Sequence, residues 1–188
     1  SRSTPDVDVL ARLRPDNVTA LLARPPVLTT VVLGGVGMYV FQAFVSFFPA
    51  FLQQHHALDR GTAALLAGVA FLVIAFTMPL VGEAADRYDL DLTLLVPMVV
   101  TGFSLLILVT TEPLVRWAGV GLIGVGLTWG GALQARFMHQ FGPGEGGTGF
   151  GLVRTVFVFL GSVGNVATGV LADVAGWPAA YGVVVGLL

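Results

Sequence analysis

The sequence predicts an all-α integral membrane protein, and three observations support this fold class. Of the 188 residues, 55% are hydrophobic and 11% are charged, with a mean hydropathy of +0.87, which is too apolar for a water-soluble domain. Uncharged runs of 18 or more residues recur along the chain, and a helix of roughly 20 residues crosses a hydrocarbon core about 30 Å thick. The charged residues are concentrated in short segments between these runs, as expected for loops outside the bilayer.

A polar N-terminal stretch precedes six apolar segments. Residues 1–26 contain four arginines and four prolines and are predicted to form a cytoplasmic connector. Residues 27–188 are predicted to form a transmembrane helical domain, with spans at about 27–52, 61–82, 92–110, 114–135, 150–172 and 179–188. The last segment has ten residues, too few to cross a bilayer, so we expect the sequence to be a fragment that stops inside a helix.

Composition argues against several other classes of function. Cysteine is absent, which excludes disulfides, thiol nucleophiles and thiolate metal sites. A net charge of −2 provides no polybasic face for nucleic acid. His55 and His56 lie in a predicted polar loop without a nearby third ligand, so we expect them to be solvated and predict no metal site and no cofactor. His139 also lies in a loop, away from any serine within a span, so no hydrolytic enzyme is predicted.

The distribution of arginine predicts the orientation. Five full spans place residues 1–24 and the loops at Gly82 and Arg136 on one side, and the loops at His55 and Glu112 on the other. The first side then carries seven arginines and the second carries two. By the positive-inside rule the first side is cytoplasmic, so we expect a multi-pass protein of the cell membrane whose N-terminal residues face the cytoplasm.

The loop after the second span resembles the cytoplasmic signature of the major facilitator superfamily. That signature reads Gly-x-x-x-Asp-Arg-x-Gly-Arg-Arg/Lys, and Gly82, Asp86 and Arg87 match its first half. Residues 89–91 replace the glycine and the two basic residues of the second half, a departure that is common in the second copy of the motif. The resemblance implies that these three matched residues form a conformational switch, in which the aspartate latches the cytoplasmic side against a helix of the opposite half.

A weak internal repeat agrees with this resemblance. Shifting the chain by 87 residues places Gly82 and Asp86 on Gly169 and Asp173, and each pair closes the second helix of a three-helix unit. Inverted three-helix repeats build each half of a facilitator. The resemblance therefore implies the six-helix C-terminal half of a facilitator-type transporter, built from two inverted three-helix repeats, with its last helix truncated.

The resemblance also implies a function and a site. The expected function is transmembrane transport of a small solute by alternating access, as a permease or an efflux protein, with the missing N-terminal half as partner. Because the first, second, fourth and fifth spans would face the cavity, the substrate-cavity candidates are Tyr39, Gln42, Trp129 and Asn165. Tyr39 and Gln42 would hydrogen-bond the solute, Trp129 would stack on it and Asn165 would orient it. The alternative for each is an interhelical hydrogen bond or a packing role.

Other residues are assigned to packing or to gating. Gly124 and Gly131 recur on one face of the fourth span and predict a close helix contact, and Gly169 is assigned the same role. Arg154, near the cytoplasmic end of the fifth span, is expected to snorkel or to pair with an acid, or else to act as a gate. No Asp or Glu lies within a span, so if transport is proton-driven, the coupling carboxylate is expected in the missing N-terminal half. A non-transporting multi-pass receptor or assembly subunit is the alternative function.

Overall fold

The computed structural model describes residues 24–109, 113–140 and 146–188, and this part of the chain is helical. In chain order the helices are α1 Pro25–His55, α2 Arg60–Arg87, α3 Leu90–Val109, α4 Pro113–Gly126, α5 Trp129–Gln140, α6 Gly146–Ala175 and α7 Trp177–Gly186. Five stretches are long and apolar enough to cross a membrane: Pro25–His55, Arg60–Arg87, Leu90–Val109, Val115–Phe137 and Val153–Ala175. The predicted fold class is therefore confirmed, while most of the predicted connector over 1–26 lies outside the described residues.

The charged turn that the sequence predicts after Gly82 is in fact mostly helical. α2 continues to Arg87, and two residues, Tyr88 and Asp89, separate it from α3. The extension has a local cause, because alanine, glutamate and arginine are good helix formers. Arg87 also pairs with Glu83 one turn earlier, with Nη2 and Oε1 2.6 Å apart, an arrangement that supports an exposed helix end. The signature residues thus lie on the last two turns of a helix.

The fourth predicted span, 114–135, is interrupted near its middle. α4 ends at Gly126, and a turn at Leu127 and Thr128 precedes α5. At this point α4 crosses α3 closely, because a Cβ atom at Gly126 would lie 2.6 Å from the backbone nitrogen of Thr101. Thr128 also donates its hydroxyl to the carbonyl of Val125 at 2.5 Å, and such bonds bend helices. The predicted fourth span thus consists of two helices separated by this turn, although Val115–Phe137 as a whole is long and apolar enough to cross a membrane.

Two hydrophobic clusters hold the helices together. One surrounds Phe44, Phe48 and Phe51 of α1 and extends to α2, α3, α4 and α7. The other surrounds Trp129 and Phe137 of α5 and extends to α1, α2, α3 and α6. α1 contributes to both clusters and packs extensively against α6.

Glycines allow several of these helices to approach at backbone distance. A Cβ atom at Gly124 would lie 2.6 Å from the Cβ of Val73 and 2.8 Å from the carbonyl oxygen of Ala70. One at Gly131 would lie 3.3 Å from the carbonyl oxygen of Met78 and 3.5 Å from the backbone nitrogen of Gly82. Both glycines therefore face α2, and Gly82 of the signature lies against α5.

We predict that Gly124→Ala destabilises the bundle by about 1–3 kcal/mol, because the added methyl group must push α2 away from α4. Gly121→Ala is the matched control, since no atom lies within 4 Å of a Cβ at Gly121 and both substitutions raise helix propensity equally. Thermal unfolding of the purified full-length protein in lipid nanodiscs measures the difference. Equal melting temperatures for the two variants would contradict the close α2–α4 contact.

Candidate functional site

Polar side chains follow one face of α1 near the middle of the helix. Tyr39, Gln42 and Ser46 are spaced by three and four residues, which places them on the same side. Tyr39 and Gln42 are half-buried and Ser46 is exposed. Neither Tyr39 nor Gln42 has a side-chain hydrogen bond within the described part of the chain. Their polar groups are thus available to water, to a solute or to another protein surface.

A hydrogen bond connects this face to α6. Ser46 donates its hydroxyl to Oδ1 of Asn165 at 2.9 Å, although the two residues are 119 positions apart. Most other Ser and Thr hydroxyls in the described helices bond to their own backbone, as Thr77 does to the carbonyl of Val73. We refer to Tyr39, Gln42, Ser46 and Asn165 as the polar patch.

The packing of α1 on α6 fixes the geometry of the polar patch. A Cβ atom at Gly164 would lie 2.6 Å from the carbonyl oxygen of Tyr39, and one at Gly169 would lie 2.9 Å from Cζ of Phe47. The two backbones are therefore in close contact at Gly164, next to Asn165, while at Gly169 the α6 backbone contacts the Phe47 ring. One oxygen lone pair of the Asn165 amide accepts from Ser46, while its two N–H groups remain available as donors.

Trp129 does not belong to the polar patch. Its side chain is 4% exposed and lies under α1, where a Cβ at Gly37 would be 2.8 Å from the indole ring. The indole N–H is buried and has no hydrogen-bond partner. The sequence-based expectation that Trp129 stacks on a solute does not fit this position, because the ring faces are covered by packed protein. Sequence periodicity missed this because it does not show which helix lies above a residue.

The end of α2 presents Asp86 to the surroundings. Asp86 is exposed and has no side-chain partner among the described residues, since Arg87 pairs with Glu83. Arg154 is likewise exposed near the start of α6. The structure therefore leaves Asp86 available to a partner outside the described chain, and the role of Arg154 stays a prediction.

An ion pair at the same end was missed by the sequence reading. Arg136 of α5 pairs with Asp91 at the start of α3, and its Nε donates to the Thr30 hydroxyl of α1 at 3.3 Å. A cavity of about 230 Å³ lies beside the pair and is lined by Thr29, Leu33, Asp91, Leu94, Leu95, Met98 and Arg136. Because the Asp91 side chain is 73% exposed, the pair is expected to contribute at most about 1 kcal/mol. Its role is to connect three helix ends.

The prediction that His55 and His56 are solvated is wrong for His56, which is buried, whereas His55 is partly buried. Nε2 of His55 lies 2.9 Å from the carbonyl oxygen of Val109, and Nε2 of His56 lies 2.7 Å from that of Leu108. Both rings therefore donate to the last carbonyls of α3, which have no partner within their own helix. Among the described residues, no group of three or more potential metal ligands was found.

A family model described as the Major Facilitator Superfamily matches residues 27–188. The chain belongs to the Major Facilitator Superfamily. The match begins within the first turn of α1 and covers the polar patch and the signature residues. No curated protein matches the chain significantly. Membership of the superfamily implies membrane transport of small solutes by a protein that lies in the bilayer, and its members are generally carriers rather than enzymes.

The structure gives a physical account of one departure from the facilitator signature. Asp89 stands where the signature has glycine, and its Oδ1 accepts hydrogen bonds from the backbone nitrogens of Asp91 and Leu92, both at 2.9 Å. Asp89 thus caps the N-terminus of α3, an arrangement that satisfies two donors and places a negative charge at the positive end of the helix. This short capped turn leaves two residues between the end of α2 and the start of α3.

We predict that Asp89→Ala destabilises this facilitator by about 1 kcal/mol, because two backbone donors of α3 lose their acceptor. Asp89→Asn is the control, since an asparagine oxygen can accept the same bonds without the charge. Thermal unfolding at neutral pH in nanodiscs compares the three proteins. A loss of stability in the asparagine variant as large as that in the alanine variant would show that the charge, and not the cap, is responsible.

Proposed function

We propose that this chain is the C-terminal half of a secondary transporter that moves a small solute by alternating access. In this proposal the polar patch lies in the wall of the central cavity, where Asn165 offers donors to the solute and Tyr39 and Gln42 provide further hydrogen bonds. The observation that carries the proposal is the Ser46–Asn165 bond between two otherwise apolar helices.

The physical argument starts from the cost of placing polar groups in hydrocarbon. An amide or hydroxyl without a partner is costly to bury in an apolar medium, and lipid supplies no hydrogen bonds. Tyr39, Gln42 and the Asn165 N–H groups would therefore be poorly placed against lipid. The exposed face of α3 differs from the polar patch, because its side chains are apolar: Val96, Val99, Phe103 and Leu106. We infer that α3 faces lipid and that the polar patch faces a water-filled cavity.

The exposure of the helices supports a second half as partner. In their most apolar windows, α2 is 17% buried and α6 is 22% buried, against 44% for α1 and α3. These two poorly buried helices are both adjacent to α1, which carries most of the polar patch. A second helical bundle from the same protein would cover α2 and α6 and close the cavity, as the two halves of such transporters rock about a central site.

The exposed carboxylate of Asp86 fits a cytoplasmic latch in this proposal. An anion at the N-terminus of a partner helix gains roughly 0.3–1 kcal/mol when exposed and up to about 2 kcal/mol when partly buried. A difference of that size shifts a two-state equilibrium severalfold. The excess of arginine on the side of the signature supports a cytoplasmic position for that side in the cell membrane.

We predict that single cysteines at Gln42 and Asn165 react with a membrane-impermeant methanethiosulfonate reagent in the full-length transporter. The described segment has no native cysteine, so labelling reports on the introduced position once any other cysteines have been replaced. Val99→Cys and Phe103→Cys are the controls, because these side chains are 58% and 59% exposed but are expected to contact lipid. Labelling of the controls at the same rate as positions 42 and 165 would refute the cavity assignment.

We predict that Asp86→Asn raises the reactivity of the Asn165→Cys reporter from the cytoplasmic side severalfold, because loss of the latch weakens the outward-facing state. Initial transport rates of a solute identified by uptake screening should change while the amount of inserted protein does not. Glu83→Gln is the control, since Glu83 pairs within its own helix. An unchanged reactivity and an unchanged transport rate in the Asp86 variant would refute the latch hypothesis. The absence of any solute flux would instead favour a receptor or assembly subunit.

A further inference from the structure

The end of α1 opposite the signature is tied to the end of α3 by two adjacent histidines. The bonds from His55 to the Val109 carbonyl and from His56 to the Leu108 carbonyl join these helix ends side by side. We call this set of four residues the histidine clasp. It includes the last residue of the helix that carries most of the polar patch, so its state bears on how freely that end of α1 can move.

Aromatic packing holds the clasp in place. The ring of Phe51 is fully buried and stacks on His55 at a centroid distance of 5.2 Å, while it meets His56 edge-on at 5.0 Å. Tyr181 of α7 meets the same ring edge-on at 4.8 Å. Trp177 of α7 also donates its indole N–H to Oε1 of Gln54 at 3.1 Å. The clasp is therefore part of a packed layer that connects α1, α3 and α7.

The two histidines differ in the surroundings of the ring, which decide how costly protonation of the second ring nitrogen is. Since a carbonyl oxygen accepts only, Nε2 of each ring carries the hydrogen in the clasp. His56 is 9% exposed, and its other ring nitrogen, Nδ1, is buried without a hydrogen-bond partner. Protonation of His56 would thus create a buried N–H donor with no acceptor in the described chain, a costly arrangement. His55 is only partly buried, so its ring retains contact with the surroundings.

The charged groups around His56 also disfavour its protonation. Burial is the main cause that lowers the pKa of His56 below its ordinary value, the neighbouring Arg116 of α4 and His55 lower it further, and the bond to the Leu108 carbonyl opposes them. The carboxylate of Asp59 caps α2 through the backbone nitrogens of Gly61 and Thr62. α3 and α7 contribute carbonyls and aromatic rings, while Glu112 lies outside the described residues.

We propose that His56 makes the histidine clasp acid-sensitive, so that acidification of the compartment on that side releases the end of α1 from α3. His56 accepts a proton more readily when the clasp is open and the ring is solvated than when it is closed. The closed clasp is accordingly favoured above a pH of about 6.5, the ordinary value for histidine, and is lost as the pH falls through the lowered pKa of the closed form. This inference does not depend on the identity of the transported solute.

Spin labels on the two helix ends test the proposal in the full-length protein in nanodiscs. Ala57→Cys follows the clasp and is exposed, and Leu106→Cys lies on the exposed face of α3 at 56% exposure. Electron double resonance should give one distance at pH 7.5. At pH 5.0 a second, longer distance should account for a large fraction of the molecules, with the midpoint below 6.5. The same protein returned to pH 7.5 should recover the single distance.

Two variants assign the response to His56. His56→Gln keeps an N–H donor for the Leu108 carbonyl but does not titrate, so its distance should be the same at both pH values. His55→Gln is the matched control and should retain the acid response of the parent protein. The proposal would be overturned if the parent protein kept one distance down to pH 5.0, or if His56→Gln still opened with acid. Circular dichroism and gel filtration of each variant establish that it is folded. The test for a single distance down to pH 5.0 needs only the parent protein, so it does not depend on the folding of either variant.

Discussion

Hydrocarbon offers no hydrogen bonds, and this constraint explains most of the chemistry of the described helices. Backbone groups are satisfied within each helix, and most hydroxyls bond to a carbonyl one turn earlier, as Thr101 does to Pro97 and Thr155 to Gly151. Against this background a polar side chain that reaches another helix is informative. The bond from Ser46 to Asn165 departs from the rule at the middle of two helices, which is why it carries the assignment of a cavity wall.

The same constraint determines how the helices pack. Lipid tails are as apolar as leucine, so association within a membrane depends on close packing more than on exclusion of water. Glycines supply this contact where α1 meets α6 and where α4 meets α2 and α3. The turn at Leu127 and Thr128 divides the most buried of the five spans, Val115–Phe137, into two helices.

Charged and titratable groups are placed differently at the two ends of the bundle. At the end of the signature, Asp89 caps α3 and the Asp91–Arg136 pair connects α3 to α5, whereas Asp86 has no side-chain partner in the described chain. At the opposite end, His55 and His56 donate to the last carbonyls of α3. One end thus presents a charge to a partner outside the described chain, while the other is closed by contacts within it. This asymmetry supports the proposed alternating access, in which the two sides would open in turn.

The sequence alone determined the membrane class, the approximate spans and the family, because length and hydropathy are local properties and the signature is contiguous. Tertiary structure decided the features that depend on which helices are neighbours. Trp129 is covered by α1 at Gly37, and His56 is buried because α3 ends beside it. The turn at Leu127 and Thr128 lies next to the close approach of Gly126 to Thr101, a contact that no local pattern encodes. Periodicity reports the face of a helix on which a residue lies, whereas its surroundings follow from the packing of the other helices.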